Sequence, residues 1–165
     1  MPIISNNLIG KIPISTNDII RVNLAWVKDV EEAKRIIKKI NNDIYLDYPR
    51  GRSKPPKPTI KLDDAIRLAN NQKVKYFAVS NIETAEDCEL MIDSLGDVEF
   101  VPKIETEIGV NNMAKMIKAG VKTMMLDKED LYTDVNCNSK KYNKLIGKAR
   151  SYPVKLLELQ GVVFI

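Results

Sequence analysis

Histidine is absent from this 165-residue chain. That absence removes every mechanism built on an imidazole base or ligand, including Ser-His triads and the usual zinc hydrolases. Cysteine is nearly absent too. Cys88 and Cys137 lack the spacing of metal ligands, which fits a reducing, cytoplasmic compartment better than a secreted disulfide scaffold. No apolar run is long enough for a membrane span, and the opening segment has no basic stretch of the signal-peptide kind, so no membrane association is expected. Low-complexity tracts and internal linkers are also missing. The only dense basic cluster, Arg50, Arg52, Lys54 and Lys57, lies in a Pro-rich stretch with one aromatic, Tyr48, beside it. No groove-reading motif accompanies it, so the bland reading is a solvated loop and nucleic-acid binding is not expected.

What is present is an ordinary globular composition: 44% hydrophobic, 29% charged, formal net charge +4. The length suits one domain with a sizeable core. Apolar runs alternate with helical periodicity in repeats of roughly 20–30 residues, the pattern of parallel βα units. Strands are predicted at Ile19–Val27, Asp43–Tyr48, Val74–Ser80, Val98–Ile104, Val121–Leu126 and Val154–Ile165, the last bent at Gly161. Helices are predicted at Val30–Ile40, Leu62–Asn71, Thr84–Leu95, after the Val98–Ile104 strand and ending before Gly120, and Ser139–Ser151. Asp29 with Glu32 has the form of a capping box. Six strands and five helices suggest an α/β fold, a short or incomplete TIM-type barrel spanning 1–165, because a closed barrel usually needs more than about 200 residues. An open doubly wound sheet is the alternative. An uncovered apolar edge makes a homo-oligomer the expected state.

The strongest chemical signal is Phe100-Val101-Pro102-Lys103-Ile104-Glu105-Thr106. Alternation along a strand puts Lys103 and Glu105 on one face and Ile104 on the other. A buried cation and anion at a strand end need a partner, a ligand or a metal. The next apolar run, Val121–Leu126, ends in Asp127-Lys128-Glu129-Asp130-Leu131, so two neighbouring strand ends present carboxylates, as a divalent-metal site in a barrel requires. The bland readings are a structural ion pair for Lys103 and Glu105 and a capping role for Asp130. Met113, Met116, Met124 and Met125 read as core packing.

These motifs resemble the catalytic barrel of pyruvate kinase and the wider phosphoenolpyruvate/pyruvate-binding barrel superfamily. Lys103-Ile104-Glu105 matches the family's Lys-Ile-Glu strand end, and Gly109-Val110-Asn111-Asn112 its Gly-Val-x-Asn. Arg21-Val22-Asn23-Leu24-Ala25 echoes Arg-Leu-Asn-Phe-Ser. Leu46-Asp47-Tyr48-Pro49-Arg50 echoes Leu-Asp-Thr-Lys-Gly, and Phe77-Ala78-Val79-Ser80 echoes Ile-Ala-Leu-Ser. Glu129-Asp130-Leu131 partly matches a Gly-Asp-Leu turn. The resemblance implies Glu105 and Asp130 as ligands of Mg2+ or Mn2+, and Lys103 as the group neutralising an enolate or transferring phosphoryl oxygen. It implies Arg21 as a phosphate or carboxylate contact, and Asn23 with Asp47 near a monovalent-cation site. The implied substrate is phosphoenolpyruvate or a 2-keto acid such as pyruvate.

The departures are specific. Glu129 stands where the family has a small glycine. Ala25 and Tyr48 replace the serine and threonine cation ligands, which weighs against a K+ site. The interval Pro49–Thr59 is too short for the inserted lid domain, and the family's C-terminal domain has no counterpart. Ile104-Glu105-Thr106 also resembles the Ile-Glu-Thr of lidless lyases and aldolases, such as the citrate lyase β-subunit and the hydroxy-acid aldolases. A lyase or aldolase, and a non-catalytic relative acting as a subunit, therefore stand beside phosphotransfer as expectations.

Overall fold

The computed structural model describes residues 3–51 and 56–158, with the side chain of Glu158 excepted. Arg52 and Lys54 of the basic cluster, and the final strand beyond Glu158 with its bend at Gly161, lie outside the described residues. The strands are β1 (Ile3–Ser5), β2 (Ile19–Asn23), β3 (Asp43–Tyr48), β4 (Tyr76–Val79), β5 (Glu99–Ile104), β6 (Thr123–Leu126) and β7 (Lys155–Glu158). The helices are α1 (Val30–Lys38), α2 (Leu62–Asn71), α3 (Ala85–Ser94), α4 (Glu107–Lys118), α5 (Lys128–Asp134) and α6 (Ser139–Arg150). Strand order follows chain order from β1 to β7. That is the order of a βα barrel and lacks the reversal of a doubly wound sheet. The protein is thus an α/β fold of parallel repeats whose described strands number one fewer than a closed barrel's eight. No described helix is long and apolar enough to cross a membrane.

Two compact units divide the described residues, one comprising 3–51, 56–78 and 95–99, the other 79–94 and 100–158. In the first unit β1, β2 and β3 pair in parallel, with Arg21 opposite Tyr45 and Asn23 opposite Asp47. Helix α1 buries Ala33 and Ile37, with Ile40 just beyond it, as the apolar stripe predicts. Its capping box is real but offset: the Glu32 N–H donates to Asp29 Oδ1 at 2.8 Å, while Glu32 Oε2 accepts from Lys28 N at 2.6 Å, one residue before the cap.

The predicted first strand runs to Val27, whereas β2 stops at Asn23. The cause is local. Asn23 Oδ1 accepts from the Ala25 N–H at 2.9 Å and starts a 3-10 turn over Leu24–Trp26, a side-chain competition with the strand ladder.

In the second unit β5, β6 and β7 pair in parallel, with Ile104 opposite Leu126. Every β6 residue is buried, as is every β5 residue but Glu99, the near-continuous apolar run of a strand covered on both faces. Met113, Met116, Met124 and Met125 are fully buried in this core. Helix α4 is capped by Thr106, whose hydroxyl accepts from the Gly109 N–H at 3.0 Å and donates to Glu83 Oε1 at 2.7 Å. Gly109 is a packing requirement. A Cβ there would lie 3.1 Å from the Ile82 carbonyl oxygen and 3.4 Å from Ile104, so the helix starts against the loop after β4 and against β5. Helix α5 was not foreseen. Asp127 caps it, and Leu131 is its only buried residue, too little apolar pattern for seven residues to read as helix.

Candidate metal centre

The second unit gathers charged side chains at the C-terminal ends of β5 and β6. One residue past the Ile104–Leu126 pairing come Glu105 and Asp127, and the first turn of α5 adds Asp130. Glu105, Asp127 and Asp130 each offer a carboxylate oxygen, and all three oxygens lie within 4.8 Å of one another. Oxygens that share one cation at about 2.0–2.6 Å fall within about 4–5 Å of each other, so the three residues can hold a metal ion.

The cluster runs from buried to open: Glu105 is 4% exposed, Asp127 half-buried and Asp130 exposed. Lys103, 5% exposed, supplies a cation from the same strand. Its Nζ lies 2.7 Å from Glu105 Oε1 and 3.6 Å from Asp127 Oδ2, and it donates to Ser80 Oγ at 3.1 Å. The contact with Glu105 Oε1 is close in distance but poorly aimed for a hydrogen bond. Glu105 Oε2 is held by the Asn81 N–H at 2.8 Å. Asn81 takes a left-handed backbone, φ 55°, uncommon outside glycine yet tolerated best by Asn and Asp, and characteristic of functional strand ends.

Three ionised carboxylates against one ammonium leave a formal charge of −2 in this cluster. Glu105 lies deepest of the three. Burial pushes its carboxyl up from the ordinary range, the Lys103 ammonium and the Asn81 N–H pull it back only in part, and the Asp127 charge adds to the rise. A divalent cation would cancel the excess negative charge. An all-carboxylate donor set suits a hard cation.

The first unit places the other predicted residues. Arg21 Nε donates to Asp47 Oδ2 at 2.8 Å, and its Nη2 donates to the same oxygen. Asp47 is 1% exposed. Arg21 and Asp47 thus meet each other, and Asn23 spends its carbonyl on Ala25. Sequence reasoning named Glu105 and Asp130 but passed over Asp127, Ser80 and Asn81. Asp127 had a usable signal, since it follows the β6 run just as Glu105 follows that of β5. Ser80 stood in the Phe77–Ser80 motif without a role assigned to it, and Asn81 had no signal, because their roles depend on β4 ending beside Lys103 and Glu105.

No family model matches the chain, and no curated protein matches it. Among solved structures it is similar to RipC from Yersinia pestis, with a TM-score of 0.61 at 12% identity over 94% of this chain and 73% of that one. At that identity the likeness concerns the fold alone.

Proposed function

We propose that this protein is a divalent-metal-dependent enzyme acting on a 2-keto acid or phosphoenolpyruvate through an enolate. Mg2+ or Mn2+ would sit among Glu105, Asp127 and Asp130. The convergence of those three carboxylates within 4.8 Å is the observation that carries the reading. The ion would supply Lewis-acid polarisation of the keto and carboxylate oxygens. Lys103, fixed by Ser80 and Glu105, is a pre-oriented ammonium for the negative charge that develops on an enolate oxygen. Ser80 and Asn81 hold Lys103 and Glu105 in place.

Lyase or aldolase chemistry is favoured over phosphotransfer. Phosphoryl transfer draws its rate from positioning and water exclusion, and the short interval from β3 to α2 shows no regular secondary structure in its described residues. Glu129, where the resemblance calls for a small residue, adds bulk and charge beside Asp130. Calorimetric titration of Mn2+, with and without oxalate as an enolate mimic, tests the proposal. The expected result is saturable binding, tightened by oxalate and abolished in Glu105→Ala. Absence of binding at millimolar Mn2+ would leave Lys103 and Glu105 as a structural ion pair in a non-catalytic relative.

A further inference from the structure

Helix α6 carries Lys140, Lys141, Lys144, Lys148 and Arg150, all exposed, and no acidic residue. Like charges three and four residues apart on a helix repel. Such a face stays favourable where an anion relieves it. Beside it α4 forms a groove of about 280 Å3 lined by Glu107, Asn111, Lys141, Lys144, Leu145 and Lys148.

Two of the groove's cations are already oriented. Lys141 Nζ lies 2.5 Å from Glu107 Oε2, and Lys148 Nζ donates to Asn111 Oδ1 at 2.7 Å. That second contact leaves the Asn111 NH2 group available as a donor. Lys144 has no carboxylate partner among the described residues. Three lysines against one glutamate give the groove a formal charge of +2. Helix α3, packed on α4, carries Glu86, Asp87, Glu89 and Asp93 and no cation, so the positive surface is bounded by an acidic helix.

We propose that the α4–α6 groove binds a small phosphomonoester dianion, with Lys144, Lys148 and the Asn111 amide as its donors. The charge matches, the volume suits a small molecule better than a polymer, and the acidic neighbour disfavours a broad polyanion footprint. Ammonium–phosphate contacts are charge-assisted and fall off with salt.

The test is calorimetric titration of glycerol 3-phosphate into the full chain at low salt. EDTA is kept present so that the carboxylate cluster takes no part. Saturable one-site binding is expected, weakened about tenfold in Lys144→Gln/Lys148→Gln and unchanged in Lys122→Gln, a lysine of the same unit outside the groove. If the double variant fails to fold, Lys144→Gln alone is read, with a smaller loss expected. Binding absent at millimolar ligand, or equal in wild type and variant, overturns the proposal. So does an oligonucleotide bound at these lysines that glycerol 3-phosphate cannot displace, which would assign the surface to a polymer.

Discussion

Two strand ends in this protein use the same ingredients to opposite effect. In the first unit Arg21 places two N–H groups on one oxygen of the buried Asp47, one charge answering one. In the second, Lys103 faces Glu105 and Asp127, with Asp130 close by, so three carboxylates share one ammonium. A one-to-one pair balances its own charge. An unmatched cluster keeps an appetite for cations, and the Glu105 carboxyl, raised chiefly by burial, is raised further by the Asp127 charge. Charge count, more than burial, separates the two.

The sharpest way to break the comparison is to remove one partner from each. Asp47→Ala is expected to destabilise the protein by about 3 kcal/mol, since it strands a partly buried guanidinium. Urea denaturation measures it. Lys103→Met should also destabilise the metal-free chain, yet tighten Mn2+ about tenfold by removing a competing positive charge. If Lys103→Met leaves Mn2+ affinity unchanged, the two strand ends are alike and the contrast fails.

A pH series sharpens the same point. Glu105 titrates higher in the folded chain than in the unfolded one, so the folded state binds its proton more tightly. Its contribution to stability is therefore complete below the unfolded carboxyl's range and is lost as pH rises through the raised folded value. Denaturation midpoints of the metal-free chain should show this loss, Glu105→Gln should remove it, and saturating Mn2+ should reverse it. A wild-type profile identical to that of Glu105→Gln would refute the assignment.

The smallest expected effect concerns the support beneath the cluster. Gly109→Ala forces a methyl against the Ile82 carbonyl. The expected loss is about 1 kcal/mol, overpacking outweighing the better helix propensity of alanine. Thermal melting checks it, and an unchanged or raised Tm would mean that the α4 start yields easily.

Much of this architecture was legible in the residues. β3 and α2 fall at the predicted bounds, because Asp43–Tyr48 and Leu62–Asn71 carry clear strand and helix patterns. Glu105 and Asp130 were legible as carboxylates closing adjacent apolar runs. What escaped was set by single hydrogen bonds. Asn23 ended its strand early, and Asp127 started a helix of seven residues whose one buried side chain left almost no periodic trace. The roles of Ser80 and Asn81 were invisible because nothing in a β4 sequence says which side chains stand on the next strand.

The two thiols differ in a way that is useful at the bench. Cys88 is fully enclosed, whereas Cys137 is exposed and lies seven positions after Asp130. A maleimide dye or nitroxide should therefore attach at one place in the untouched wild type. Because that place follows the helix carrying Asp130, paramagnetic broadening of a Cys137 label would report manganese arriving at the carboxylates without any engineered cysteine.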